Sequence, residues 1–308
     1  MEKKRIVIAG AGGVVGRALL DASQERYERV VLTRGGTEPP GTSAVRWSPD
    51  AAERSDDAEL QRLADVLDGA AAVVNLAGSS IAAGRLDEAH VRRLRESREH
   101  AGATLVAAAQ RAAVPPPVWF QASGVDIYGD RGEDVLDETA SVEGDGPIQV
   151  VGRAWEASAD PAEAFARVIK GRIGVVLAPD AEAWQKLLLP IRLFVGGPLG
   201  SGRQWLPWIE AGDLARAILF LVESPDAEGP YNLVAEPVRQ IELTRAAAKR
   251  LGRPAFVPAP AFALRLVLGR LADVLLLSSK RAVPKRLRDE GFAFEAGTLE
   301  EALPRLLP

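Results

Sequence analysis

The chain has 308 residues, of which 47% are hydrophobic and 26% are charged, and its formal net charge is -4. This length suits one large domain or two modest ones, with enough chain to bury a core. The slightly negative charge and the lack of a basic stripe argue against a nucleic-acid partner.

Cysteine is absent, which excludes disulfides, thiolate metal sites and cysteine nucleophiles. The two histidines, His90 and His100, face different sides of one predicted helix, so we expect no metal site. The first apolar run, residues 6–9, is shorter than the core of a signal peptide, and charges interrupt the apolar stretch 262–277. We therefore expect a cytoplasmic protein that does not span a membrane.

The first half of the chain alternates short β-branched runs with longer helical patterns, as parallel βαβ units do. The predicted strands are Arg5–Ala9, Arg29–Thr33, Ala44–Trp47, Ala72–Leu76, Val118–Ala122 and Arg172–Leu177. The predicted helices are Gly13–Ser23, Ala58–Leu67, Leu86–Ala113 and Arg153–Arg167. This pattern predicts an α/β fold with a Rossmann-type, doubly wound parallel sheet of about seven strands.

Beyond Pro179 the regular alternation is lost, and glycine-rich loops lead into a mostly helical tail. A helix at Gly212–Val222 and a strand at Pro230–Leu233 are expected to return to the main sheet. We predict a nucleotide-binding domain over residues 1–180 plus about 211–235. The remaining segments, about 181–210 and 236–308, are predicted to form a smaller, mostly helical domain that binds substrate.

A glycine-rich turn joins the first strand to the first helix. It consists of Gly10, Gly12, Gly13, Val14, Val15 and Gly16. The glycines permit a tight turn and let backbone N–H groups approach a pyrophosphate, and the positive end of the helix dipole favours the same anion. Gly10, Gly13 and Gly16 recur at every third position. A turn without a ligand would not need three glycines at this spacing, so we expect a dinucleotide here.

The end of the second predicted strand indicates which dinucleotide binds. NAD enzymes usually present a carboxylate here to the ribose 2′-hydroxyl, but no Asp or Glu lies between Arg29 and Thr37. Arg34 follows Thr33 at that position, and a guanidinium suits a 2′-phosphate. These residues favour NADP(H) over NAD(H). The alternative is that Arg34 is a solvated loop arginine that binds no ligand.

The fourth predicted strand ends in Asn75, Leu76, Ala77 and Gly78. Small residues at the carboxyl end of a central strand are expected to contact the rest of the dinucleotide. Gly78 allows close approach, and the Asn75 amide can bind ribose or backbone. An equally good interpretation makes Asn75 a purely structural strand cap.

With these motifs in place, the chain resembles an extended short-chain dehydrogenase/reductase. It is most similar to the bacterial "epimerase family" proteins, which carry a C-terminal domain of unknown function and are sometimes labelled sugar-nucleotide epimerases. The resemblance covers essentially the whole chain. The segments that carry it are 75–78, 128–133, 172–177, 196–205, 229–233 and 284–292.

The resemblance implies that Ser123 is the catalytic serine after the fifth strand, whose hydroxyl hydrogen-bonds the reacting oxygen. In the wider superfamily a Tyr-x-x-x-Lys pair transfers the proton, and the lysine lowers the pKa of the tyrosine. Here Ile148 and Gly152 stand at the corresponding positions, and neither carries a proton. The family generally lacks the pair, so ordinary short-chain reductase chemistry does not follow from the fold.

Two further positions depart from the family pattern. Glu210 replaces the histidine of the usual Trp-Ile-His-x-x-Asp segment, which here runs from Trp208 to Asp213. Asp126 stands where the family usually has glycine. Both changes argue against a proton relay taken over from the family.

Several side chains are candidates for catalysis or substrate binding. Tyr128 is the best remaining proton donor, and its alternative is a packed aromatic whose hydroxyl caps a backbone group. Asp126 is a candidate base in the substrate site, and its alternative is a solvated loop carboxylate. Lys186, in the predicted helix Ala181–Leu189, is a candidate ligand for an anionic substrate, with a surface lysine as the alternative.

Arg203, Gln204 and Trp208 lie in or near a glycine-rich loop that is predicted to close over substrate. Packing in the core is the alternative for Trp208. The substrate is expected to be a small molecule of unknown identity, and the protein is expected to be a monomer or a homodimer.

Two functions remain open. The first is an NADP(H)-dependent oxidoreductase or epimerase-like enzyme with an unusual proton donor, which Ser123 favours. The second is a non-catalytic NADPH-binding redox sensor that acts through a protein partner, which the missing tyrosine–lysine pair favours.

Overall fold

A computed structural model of the chain describes residues 3–35 and 38–307. Its centre is a seven-stranded sheet with the following strands: β1 (Lys4–Ala9), β2 (Tyr27–Thr33), β3 (Ser43–Arg46), β4 (Ala72–Asn75), β5 (Val118–Gly124), β6 (Arg167–Ile173) and β7 (Gly229–Leu233). The spatial order is β7-β6-β5-β4-β1-β2-β3, and every neighbouring pair is parallel. The predicted Rossmann-type, doubly wound sheet is confirmed.

Helices cover both faces of the sheet and continue into the C-terminal part. They are α1 (Val14–Ser23), α2 (Asp57–Leu67), α3 (Glu88–Ala109), α4 (Pro147–Ala157), α5 (Glu182–Arg192), α6 (Ala211–Glu223), α7 (Gln240–Leu251), α8 (Ala261–Leu268), α9 (Lys285–Asp289) and α10 (Leu299–Leu306). A π-helical turn spans Ala272–Leu277. Short paired strands outside the main sheet are 135–136 with 281–282, 175–177 with 208–210, and 205–206 with 238–239.

The alternation of side chains along β1 divides the core into two layers. Ile6 and Ile8 point to the face covered by α1 and α6, whereas Val7 and Ala9 point to the face covered by α2 and α3. Successive residues of a strand face opposite sides, so a strand buried on both faces is apolar throughout. This explains why the apolar run near the N-terminus is continuous rather than alternating.

The predicted sixth strand, Arg172–Leu177, is placed incorrectly by the sequence pattern. The sheet strand is β6, which begins at Arg167, and the chain bends at Gly174. The Gly174 N–H still donates to the Leu233 carbonyl, but the next N–H, of Val175, donates to the Pro207 carbonyl. The strand therefore changes partner at the glycine, and residues 175–177 belong to a separate two-stranded sheet.

The predicted helix Arg153–Arg167 also needs correction. The helix is α4, which opens with Pro147 in its first turn, and a 3-10 turn at Asp160–Ala164 follows it. Proline suits the first turn of a helix because its missing N–H has no partner there. A continuation of α4 would need the N–H of residue 161 to donate to the Ala157 carbonyl, and Pro161 has no N–H, so the α-helix does not extend to Arg167.

The C-terminal part packs on an apolar cluster that it shares with α1 and the start of α6, and buried polar contacts also tie it to α6. Trp184, Trp208 and Leu303 belong to this cluster. Asp213, at the start of α6, is 1% exposed. Its Oδ1 and Oδ2 accept hydrogen bonds from the N–H groups of residues 295 and 296 at 3.0 and 2.8 Å. A carboxylate of the sheet domain thus holds the segment that leads into α10.

No helix in the described ranges combines the length and the apolar character that a membrane-spanning helix requires.

We expect Asp213→Asn to lower the free energy of unfolding by about 1–3 kcal/mol, because one of the two acceptor oxygens becomes an amide NH₂ that faces a backbone N–H. Urea unfolding measures this change. The matched control is Asp226→Asn at an exposed position, which should change stability by less than about 0.5 kcal/mol. Equal effects of the two variants would contradict the fastening role of Asp213.

Candidate functional site

The glycine-rich turn lies at the carboxyl end of β1 and leads into α1. Gly10 has a φ of +86°, and a Cβ atom there would lie 2.7 Å from the carbonyl carbon of Leu76. A Cβ on Gly16 would lie 2.4 Å from the Cα atom of Ala11. Neither position accepts a side chain without a backbone shift, so the turn is packed tightly against the end of β4 and against its own helix.

The other side of the turn is open. Gly12 and Gly13 are exposed, and a Cβ on Gly12 would meet no atom within 4 Å. Gly13 caps α1 without a side-chain hydrogen bond, and the first turn of α1 contains no acidic residue. Val14 and Val15 are half-buried and pack into the core. The N–H groups and the positive end of the helix dipole therefore fit an anion such as a dinucleotide phosphate.

At the carboxyl end of β2, Thr33 closes a tight turn. Its Oγ1 accepts a hydrogen bond from the Gly35 N–H at 3.1 Å and donates one to the Gly35 carbonyl at 2.8 Å. Arg34 lies between them with an exposed side chain. Since β2 is the direct neighbour of β1, Arg34 lies at the same edge of the sheet as the glycine-rich turn. Residues 36 and 37, which the 2′-phosphate prediction also considers, lie outside the described residues.

At the carboxyl end of β4, the Asn75 amide serves the protein itself. Asn75 is fully buried; its Nδ2 donates to Oε1 of Gln121 at 3.0 Å, and its Oδ1 accepts from the Ala77 N–H at 3.1 Å. These contacts match the strand-cap interpretation. Leu76 and Ala77 are half-buried and Gly78 is exposed, so the backbone after Asn75 forms the accessible edge.

Ser123 is the next-to-last residue of β5, and its hydroxyl is buried. The residue is 2% exposed, and its Oγ has no hydrogen-bond partner among the described residues. Buried polar atoms are nearly always hydrogen-bonded, and an unsatisfied one is destabilising. The contact of Ser123 with a reacting group stays a prediction.

Tyr128 does not reach an open surface, which corrects its prediction as a proton donor. Its side chain is 1% exposed. Its hydroxyl donates to Oδ1 of Asn232 at 2.8 Å and accepts a hydrogen bond from Nη1 of Arg172 at 2.9 Å. Burial raises the pKa of Tyr128, partly offset by Arg172. The alternative interpretation of a packed aromatic describes this residue.

A cleft of about 290 Å³ lies between the loop after β5, the start of α4 and the C-terminal segment. Asp126 and Ile148 line it, together with residues of the C-terminal segment. Ile148 stands where the superfamily has its tyrosine, and a Cβ on Gly152 would lie 3.2 Å from Cβ of Ile127. At the positions of the missing tyrosine–lysine pair, Ile148 therefore lines the cleft and Gly152 packs against the apolar side chain of Ile127.

Lys280 is a functional candidate that the sequence did not predict. Its Nζ lies 2.8 Å from Oδ1 of Asp126 and donates to the Val274 carbonyl at 3.0 Å and to the hydroxyl of Ser278. The side chain of Lys280 is 6% exposed and that of Asp126 is 23% exposed. The cleft thus contains a largely buried ion pair that joins the loop after β5 to the C-terminal segment. No local pattern around Lys280 distinguishes it from a surface lysine.

The remaining candidates for substrate binding lie outside this cleft. Trp208 is fully buried, and its Nε1 donates to the Glu236 carbonyl at 2.8 Å, so its prediction as a ligand contact is corrected to a core role. Gln204 is 7% exposed, and its Nε2 donates hydrogen bonds to the backbone carbonyls of residues 199 and 276. Lys186 is exposed, and its Nζ lies 2.6 Å from Oε1 of Glu182, as the surface alternative describes. Arg203 is exposed, and its contact with substrate stays a prediction.

Glu210, which replaces the family histidine, caps a helix. Its Oε2 accepts a hydrogen bond from the Asp213 N–H at 3.0 Å. Within residues 3–35 and 38–307, no three His, Cys, Asp or Glu side chains are grouped to hold a metal ion. His90 is buried with its Nε2 3.0 Å from the Ile81 carbonyl oxygen, and Nε2 of His100 lies 2.9 Å from a carboxylate oxygen of Glu53.

The sequence matches two family models that together cover most of the chain. Residues 6–170 match the NAD dependent epimerase/dehydratase family, and residues 259–306 match a domain of unknown function, DUF1731. The first match contains β1 to β5, the glycine-rich turn and Ser123. The second contains Lys280.

Relatives resemble the chain over its whole length. It is 34% identical to an epimerase family protein of Mycobacterium leprae (98% of this chain and 95% of that protein) and 33% identical to epimerase family protein SDR39U1 of Mus musculus (97% and 98%). The structure is similar to that of human epimerase family protein SDR39U1 (isoform 2) with NADPH, with a TM-score of 0.85, 29% identity and coverage of 98% and 99%. It also resembles a nucleoside-diphosphate sugar epimerase from Corynebacterium glutamicum (TM-score 0.75, 28% identity, 99% of this chain and 58% of that one).

The tight packing of the glycine-rich turn can be tested with two alanine variants. Gly16→Ala places a Cβ against backbone and should lower the free energy of unfolding by about 1–3 kcal/mol. Gly12→Ala meets open space and should change it by less than about 0.5 kcal/mol. Urea unfolding of both variants measures the difference, and comparable stabilities would show that the turn is not packed as described.

Proposed function

Because the chain belongs to the NAD dependent epimerase/dehydratase family, we propose that it is an enzyme that uses NADP(H) to transfer a hydride to or from a small-molecule substrate. The Ser123 hydroxyl carries this proposal. It is buried near the carboxyl end of β5 with no hydrogen-bond partner in the described part of the chain, and only β4 separates β5 from the strand that leads into the glycine-rich turn. A reactive group beside a bound dinucleotide is expected at this edge of a doubly wound sheet.

The choice of NADP(H) rests on Arg34. Its exposed guanidinium follows the strand next to the glycine-rich turn, where an NAD enzyme usually has a carboxylate. Guanidinium groups bind phosphate through paired, charge-assisted hydrogen bonds. The NADPH in the structure of the human relative supports this assignment.

In the proposed reaction the cofactor supplies or accepts the hydride, and the chain orients the substrate and moves the proton. Ser123 donates a hydrogen bond to the reacting oxygen. Asp126 is the proposed base, and its ion pair with Lys280 holds it in the cleft. Ile148 and Gly152 offer no proton. The proton path therefore differs from that of reductases with the tyrosine–lysine pair.

Two observations favour a second function, a non-catalytic NADPH-binding sensor. The tyrosine–lysine pair is replaced by Ile148 and Gly152, and the hydroxyl of Tyr128 is fully engaged inside the protein. Tight NADPH binding without oxidation by any member of a panel of aldehydes, ketones and keto-sugars would favour the sensor. Turnover on any of these compounds would establish the enzyme.

We expect Arg34→Ala to raise the Kd for NADPH by roughly tenfold or more and to leave the Kd for NADH nearly unchanged, because the lost charge-assisted bonds involve only the 2′-phosphate. Fluorescence titration with both dinucleotides measures this. Arg26→Ala is the control, since it removes the same charge at the other end of β2. Equal weakening of NADPH and NADH would refute the role of Arg34.

For an enzyme with measurable turnover, Ser123→Ala should lower kcat by roughly a hundredfold or more, because a hydrogen bond to the reacting oxygen is strongest in the transition state. The Kd for NADPH should stay the same. The fold should not lose stability, because the hydroxyl forms no hydrogen bond with the residues that the structure describes. Steady-state kinetics with NADPH fluorescence as the signal measure kcat. An unchanged kcat would remove Ser123 from the mechanism.

A further inference from the structure

Arg98, on α3, is a buried cation that forms no ion pair with a carboxylate of the described residues. It is 5% exposed, and its Nη1 donates to the Leu94 carbonyl of its own helix at 2.9 Å. Its Nε has no hydrogen-bond partner among the described residues. The guanidinium stacks over the ring of Trp155 at 4.4 Å from the ring centroid. Burial lowers the pKa of Arg98 to about 10, so the group keeps its charge at neutral pH.

The other buried cations of the described ranges are treated differently. Arg172 forms two hydrogen bonds with the carboxylate of Glu156, at 2.9 and 3.1 Å, and Lys280 pairs with Asp126. Removing a cation from water is costly unless an opposite charge compensates it. Among the described residues, Arg98 therefore stands out as the buried cation that has no carboxylate as a counter-charge.

The position of Arg98 links it to the glycine-rich turn. A Cβ on Gly78 would lie 3.1 Å from Cζ and 3.2 Å from Nε of Arg98, so the guanidinium lies directly against the Gly78 backbone. Two residues earlier, Leu76 lies against Gly10. Residues 76–78 are thus in contact with the glycine-rich turn at one end and with the buried guanidinium of Arg98 at the other.

We propose that Arg98 binds the negative charge of the dinucleotide, with its guanidinium acting together with the N-terminus of α1 on the pyrophosphate. This inference rests on the proposed function, since it assigns a further residue to the same cofactor. The stacking on Trp155 fixes the plane of the guanidinium. The exposed backbone of Gly78 lets the cofactor come close to it without a side chain in between.

The test compares Arg98→Met with the wild-type protein in two measurements. The Kd values for NADPH and NADH should both rise by roughly tenfold or more, and by the same factor, because the pyrophosphate is common to both. In urea unfolding without cofactor, the variant should be as stable as wild type or more stable, because an uncompensated buried charge is gone. Arg95→Met, on the exposed side of α3, is the matched control and should leave both Kd values unchanged.

Other outcomes would overturn the inference. A variant that loses stability but binds both dinucleotides as tightly as wild type would make Arg98 a packing residue. If Arg98→Met does not fold, Arg98→Gln tests the same point, since it keeps a hydrogen-bond donor but removes the charge. Wild-type protein that binds neither dinucleotide would refute the proposed function itself, whereas wild-type binding with unaltered affinity in both variants would refute only the role of Arg98.

Discussion

The structure depends on the contact of backbone with backbone where β1 and β4 end. Gly10 has no Cβ, so its turn can lie against the Leu76 carbonyl, and Gly16 brings α1 onto the same turn. These contacts set the position of the positive end of α1 relative to the segment after β4. That segment in turn lies against the guanidinium of Arg98 through Gly78. A side chain at Gly10 or Gly16 would meet backbone, and one at Gly78 would meet the side chain of Arg98, so each would disturb a different contact of this edge.

Polar side chains near this edge act mainly as structural links. Tyr128 joins Asn232 on β7 to Arg172 on β6, and Arg172 holds Glu156 on α4. A buried network of this kind is rigid because every member is satisfied. It fixes the loop after β5 and so positions Asp126 in the cleft. The same hydrogen bonds occupy the tyrosine hydroxyl inside the protein, so Tyr128 is not placed to bond a substrate although it is close to Ser123 in sequence.

Local patterns predicted the sheet and the glycine-rich turn because periodicity and glycine spacing depend on near neighbours in sequence. They did not predict the bend at Gly174, where the new hydrogen-bond partner, Pro207, is distant in sequence. The burial of Trp208 and the pairing of Asp126 with Lys280 are long-range for the same reason. Arg98 was missed because α3 carries charged residues on most of its surface, so its buried side was not evident from the pattern of apolar residues.

The distribution of charge separates two regions of the carboxyl edge. In the cleft each cation has a protein partner: Lys280 pairs with Asp126, and Arg265 pairs with Asp273 at 2.8 Å. A paired cation attracts an anionic ligand weakly, because the ligand must compete with the carboxylate already present. Beside the glycine-rich turn, Arg17 donates to the Gly12 carbonyl at 2.8 Å and is likewise paired, with Asp180 at 2.6 Å. The N-terminus of α1 has no acidic residue in its first turn, and Arg98 has no ion pair with a described carboxylate. Attraction for phosphate near the turn therefore comes from the helix N-terminus and Arg98 rather than from Arg17.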